Sequence, residues 1–192
     1  MRLNIPNLLT LFRIALIPVF VVVFYLPFDW INWWTTAIFG LAAITDWLDG
    51  FLARRWGETS AFGAFLDPVA DKLMVAVALV LLVQQNPTVA FVIPAVVIIG
   101  REIAISALRE WMAEIGERAQ VAVSVIGKIK TTFQIIAILL LLFREPVGPL
   151  PTHLIGVLCL YVAAALTLWS MAVYLRAAWP ALTRPERGQG DA

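Results

Sequence analysis

The stretch 46-DWLDGFLARRWGETSAFGAFLDPVAD-71 decides how this chain is read. Its four aspartates, Asp46, Asp49, Asp67 and Asp71, lie between apolar runs, Trp34 to Ile44 before and Leu73 to Val83 after. Carboxylates at the edge of a membrane are costly when unpaired, so they point to function by default. Asp46 and Asp49 are three apart and Asp67 and Asp71 four apart, so on helices each pair shares one face. Gly50 and Ala53 fall on the same side as the first pair and leave room for a ligand beside the backbone. Two carboxylate pairs facing each other across a helical hairpin would supply hard oxygen ligands for one or two Mg²⁺ ions. Two such ions could clamp the attacking and leaving oxygens of a phosphoryl displacement. Asp67 before Pro68 also reads as an N-cap with proline at the first helical position, which explains one aspartate and not the other three.

The rest of the composition agrees with a membrane setting. The chain has 192 residues, 61% of them hydrophobic and 14% charged, with a mean hydropathy of +0.88. Several apolar runs reach the roughly 20 residues needed to span lipid. Continuous apolar runs argue for helices and not for a barrel. A net charge of +1 gives no basis for a nucleic-acid partner, and the single Cys159 excludes an internal disulfide. No internal repeat is visible. Residues 1–180 read as one catalytic domain, and 181–192 as a polar, disordered tail.

Taken in order, the chain predicts an all-α fold with six transmembrane helices. The first ends near Tyr25, the second runs from about Trp33 to Trp56, and the third opens at Asp67-Pro68 after a turn over 57–64. The fourth begins near Val89, the fifth near Val121, and the sixth covers about His153 to Leu175. Trp30, Trp33 and Trp34 mark a membrane–water interface. Asn7, Thr10 and Arg13 recur every three residues along one side of the first helix. They read either as polar residues snorkelling at the membrane entrance or as a polar face beside the aspartate hairpin. Arg101, Glu102 and Arg109 extend the polar cluster, with Glu102 open to pairing with a nearby lysine or arginine. Lys128 and Lys130 stand about 200° apart on a helix, so one serves a site and the other faces lipid headgroups. His153 reads as an interface residue and not a ligand. With the N-terminus inside, every lysine and arginine except Arg144 falls toward the cytosol, which places both termini there.

The opening stretch matches without a gap the signature D-x2-D-G-x2-A-R-x8-G-x3-D-x3-D, through Asp46, Asp49, Gly50, Ala53, Arg54, Gly63, Asp67 and Asp71. In this the chain resembles the CDP-alcohol phosphotransferases. The resemblance implies their membrane fold, a homodimer, a cytosol-facing cavity, and transfer of a phosphatidyl-type group from a CDP-linked lipid to an alcohol with release of CMP. It implies two divalent ions, Mg²⁺ or Mn²⁺, held by Asp46, Asp49, Asp67 and Asp71, with Asp71 as the base. Gly50, Arg54, Gly63, Asn7 and Thr10 are expected around the CDP moiety. Beyond the signature, NLLTLFR (7–13), FGAFLDPVADK (62–72), REIAISALREWMAE (101–114) and IGKIKTT (126–132) resemble the bacterial phosphatidylglycerophosphate synthases within that family. That closer resemblance implies CDP-diacylglycerol and glycerol 3-phosphate as substrates and the bacterial inner membrane as location, with membrane lipids around the helices.

The acceptor is a dianion approaching a site rich in carboxylates, so it needs a separate cationic pocket. Arginine is the better bidentate partner for phosphate. Arg101 is the first candidate, Lys128 and Lys130 the next, and Arg13 and Arg109 stand behind them. The same scaffold with another acceptor, serine or an inositol phosphate, is the nearest alternative. A small cation transporter is a more distant one, because it needs neither an arginine two turns below the carboxylates nor a basic cluster on later helices.

Overall fold

A backbone in lipid must satisfy its hydrogen bonds within its own segment, and the apolar runs do so as helices. The computed structural model describes residues 5–56, 61–116 and 125–183. It contains α1 (Ile5–Phe24), α2 (Ile31–Trp56), α3 (Ala61–Gln85), α4 (Val89–Glu114), α5 (Val125–Phe143) and α6 (Thr152–Leu182). The described residues are thus all-helical, apart from an isolated bridge between Val147 and Leu150 in the α5–α6 turn. Three helices, α1, α4 and α6, are long and apolar enough to cross a membrane by length and composition.

Two boundaries differ from the sequence expectation. The third helix opens at Ala61 and not at Asp67, so Asp67 lies inside it and Pro68 is an interior proline. Asp67 is therefore no N-cap. The apolar Ala61–Leu66 segment extends the helix backward, although an interior proline removes the bond its own N–H would have made and crowds the carbonyl four residues earlier. The sixth helix continues past Leu175 to Leu182 and includes Pro180. Residues 121–124, expected to begin the fifth helix, and 184–192, most of the expected tail, lie outside the described residues.

Side-chain pairs show that successive helices alternate in direction. Arg13 in the first half of α1 meets Asp46 and Asp49 in the second half of α2. Trp33 at the start of α2 meets Phe143 at the end of α5, and Tyr161 early in α6 donates to the carbonyl of Ala90 early in α4. The bundle consequently has two unlike ends. One is an apolar core built around Phe20, Phe39, Leu82, Ile98, Leu142 and Leu160. At this end α5 and α6 approach closely across Gly156, where an added Cβ would stand 2.9 Å from Cγ of Leu141. Small residues allow this approach between membrane helices. The other end collects the charged side chains.

Candidate active site

The helical hairpin brings the aspartates to one level. Asp49 stands seven residues before Trp56, where α2 ends, and Asp67 six residues after Ala61, where α3 begins. At 1.5 Å per residue both are about 10 Å from the turn. Asp46, Asp49, Gly50, Asp67 and Asp71 therefore line one open cavity of about 380 Å³, together with Trp47 and Pro68. A narrower hollow beside it joins Arg13, Asp46 and Asp71 to Met74 and to Ile135 of α5.

The first helix supplies a polar face to this cavity. Asn7, Thr10 and Arg13 are all buried, Arg13 to 1% exposure. Arg13 donates to Asp46 at 2.6 Å and, through its other terminal nitrogen, to Asp49. Thr10 donates to the carboxylate of Asp67. This face therefore lies buried against the aspartates and does not snorkel to the membrane entrance. Asp71 is exposed to the cavity and makes no ion pair among the described residues.

The donor set fits a divalent cation. Four carboxylates share the cavity against the single guanidinium of Arg13, leaving an excess of hard anionic oxygen of the kind Mg²⁺ and Mn²⁺ select. Among the described residues no three acidic, histidine or cysteine groups converge as a finished cage, and Arg13 spans the Asp46–Asp49 pair.

A second polar cluster lies on α4, α5 and α6. Arg101 is buried and donates to Glu102 at 2.8 Å and to the hydroxyl of Ser170 at 3.2 Å. Lys130, also buried, donates to the same Oε1 of Glu102. Ser106 donates to the carbonyl of Glu102 and accepts from Lys72, the residue after Asp71. The ring of Tyr174 lies 5.8 Å from the Arg101 guanidinium and 5.1 Å from that of Arg109, and its hydroxyl accepts from Arg109 at 2.7 Å. Lys72, next to Asp71 in the chain, thus reaches Ser106 one turn along α4 from Glu102, so the two clusters are neighbours.

The expected site residues thus separate into groups. Asn7, Thr10 and Arg13 are buried on α1, where Thr10 and Arg13 contact the aspartates, and Gly50 lines the cavity. Gly63 is buried in the first turn of α3. The Arg54 side chain lies outside the described residues. Arg101 and Lys130 come together through Glu102, whereas Lys128 is exposed on another face of α5 and Arg109 is held at Tyr174. Arg13, ranked behind the others for the acceptor, belongs to the aspartate cavity. Ser106, Ser170 and Tyr174 escaped the sequence reading. The one signal available for the last two was a pair of polar groups four apart in an apolar run.

Known proteins resemble this chain over nearly its whole length. The sequence model of a family described as CDP-alcohol phosphatidyltransferase matches residues 3–169. A Pectobacterium atrosepticum protein named CDP-diacylglycerol–glycerol-3-phosphate 3-phosphatidyltransferase is 58% identical over 188 residues, covering 96% of this chain and 100% of that protein. A Sodalis glossinidius protein of the same name is 59% identical over 181 residues, covering 93% of this chain and 96% of its own. One from Salmonella typhimurium is 57% identical over 178 residues, with coverage of 93% and 96%.

Proposed function

Because the chain belongs to the CDP-alcohol phosphatidyltransferase family, we propose that it transfers the phosphatidyl group of CDP-diacylglycerol to sn-glycerol 3-phosphate, giving phosphatidylglycerophosphate and CMP. The carrying observation is the cavity lined by all four signature aspartates, with buried cations on the neighbouring helices. The names of relatives 57–59% identical over nearly the whole chain support the choice of substrates.

Phosphoryl transfer depends on positioning and charge neutralisation more than on covalent help from the protein. A hydroxyl oxygen of the acceptor forms a bond to the phosphorus that carries diacylglycerol. The bond from that phosphorus to the CMP oxygen breaks, and the electron pair leaves with CMP. Asp71, facing the cavity, takes the hydroxyl proton, as a carboxylate within hydrogen-bond reach can. Asp46, Asp49, Asp67 and Asp71 would hold two divalent ions, Mg²⁺ or Mn²⁺, which would offset the charge of the diphosphate and of departing CMP. Gly50 lets the CDP moiety approach the α2 backbone, with Asn7, Thr10, Gly63 and Arg54 around it. Arg101 and Lys130 receive the acceptor's phosphate, Arg109 stands at its outer edge, and Lys128 faces lipid headgroups. Buried cations beside the carboxylates suit an anionic acceptor and have no part in a cation permeation path.

All six helices span the bacterial inner membrane as one catalytic domain over 1–180, both termini are cytosolic, and the enzyme works as a homodimer. The charge asymmetry that leaves Arg144 alone outside supports the orientation. A C-terminal reporter active only in the exported compartment overturns it. The reaction is tested by offering the purified protein CDP-diacylglycerol with glycerol 3-phosphate, serine or inositol phosphate and identifying the lipid formed. Phosphatidylglycerophosphate with stoichiometric CMP is expected. A product from serine or inositol phosphate instead moves the protein to another acceptor class.

A further inference from the structure

We propose that Glu102 is a positioning residue: one oxygen of its carboxylate ties Arg101 of α4 to Lys130 of α5 and so sets the spacing of two buried cations for an incoming phosphate. The inference rests on the reading above that these cations receive the acceptor.

Arg101 is 9% exposed and Lys130 5%. Two cations buried this close repel each other, and each is costly to desolvate alone. Glu102 answers both with the same Oε1 atom, at 2.8 Å from Arg101 and in direct contact with Lys130. Its single negative charge leaves the trio with one positive charge in excess, so the cluster still attracts an anion. The carboxylate is half-buried, not sealed, and can share its partners with a ligand.

Glu102 is also fixed from other sides. The Ser106 hydroxyl donates to its carbonyl at 2.5 Å and accepts from Lys72 of α3, which adjoins Asp71. Arg101 is held in turn by Ser170 of α6 and by the Tyr174 ring. One turn of α4 therefore links α3, which carries the proposed base, to α5 and α6. A phosphate seated on Arg101 and Lys130 has its distance to Asp71 set by that turn. This is the geometry that orientation of two reactants requires, where misplacement by about 1 Å can cost a hundredfold.

The test uses full-length protein in detergent with saturating Mg²⁺, reading KM for each substrate separately. Glu102→Ala is expected to raise the KM for glycerol 3-phosphate by about tenfold or more while that for CDP-diacylglycerol stays within about twofold, the signature of lost binding of one substrate. Glu102→Gln keeps an acceptor oxygen and is expected to restore most of the loss. If the alanine variant does not yield folded protein, the glutamine variant decides, with an expected acceptor KM about threefold raised. An unchanged acceptor KM in the folded variants, or an equal rise for both substrates, overturns the proposal. Arg101→Ala and Lys130→Ala separate this from the pocket itself. If they raise the acceptor KM and Glu102→Ala does not, Glu102 is no positioning residue and the pocket stands. If they leave it unchanged, the pocket and the proposal fall together. In the double variant Glu102→Ala with Lys130→Ala, the effects should fall short of multiplying, because residues acting through one another are not additive. Fully multiplicative effects count against the tie.

Discussion

At one end of the bundle Phe20, Phe39, Leu82, Leu142 and Leu160 fill the space between helices with one another's surfaces. At the other end Arg13, Arg101 and Lys130 are about as deeply buried, yet each is held against a carboxylate. The same helices build both ends, so the contrast lies in the type of contact and not in depth. An apolar side chain loses only part of its packing when a neighbour shrinks. A buried ion that loses its partner is left uncompensated, at about 3–5 kcal/mol. The polar end is therefore specific and fragile where the apolar end is forgiving, as expected where a reaction must be oriented.

The strongest test of this contrast is removal of divalent metal. A chelator is expected to abolish CMP release and added Mg²⁺ or Mn²⁺ to restore it, while helix content by circular dichroism stays constant. Asp46→Asn, Asp49→Asn and Asp67→Asn should raise the metal needed for half-maximal activity by about tenfold or more, with partial rescue at excess. Activity indifferent to chelation would remove the metals from the cavity.

Next in size is Asp71→Asn. Turnover should fall by about a hundredfold to ten-thousandfold, the range of general-base catalysis, with little change in CDP-diacylglycerol binding. Near-normal turnover shows that another group takes the proton.

The apolar end should respond in stability and not in chemistry. At Gly156 a new Cβ would meet Cγ of Leu141 at 2.9 Å and Cβ of Leu140 at 3.2 Å, and the latter atom cannot rotate away. Overpacking costs about 1–3 kcal/mol and the better helix propensity of alanine returns about 1. Gly156→Ala is thus expected to lower the thermal midpoint in detergent while leaving both KM values unchanged. A raised midpoint would show that α5 and α6 separate easily. Smallest of all, Ile138→Val in the centre of the core should cost about 0.5–1.5 kcal/mol, with turnover per folded molecule intact. A loss of turnover there would break the division between the ends.

The sequence by itself determined the helical class, the number of helices and the aspartate faces, because these follow from local periodicity. Spacings of three and four placed each carboxylate pair on one face, and the spacing of two put Lys128 and Lys130 on different ones, as their burial shows. It also flagged Asn7, Thr10 and Arg13 as one face and left open whether that face met the membrane entrance or the aspartate hairpin. The start of α3 was misread, because a proline before which a helix can begin also fits inside one when apolar residues extend it backward. Only the tertiary structure decided that Arg13 belongs to Asp46 and Asp49, that Arg101 and Lys130 share Glu102, and that Tyr174 lies between two arginines. Those pairings join residues up to 73 positions apart, Arg101 and Tyr174. They depend on how helices are rotated and stacked against one another, and packing of whole surfaces sets that, not the periodicity of any one segment.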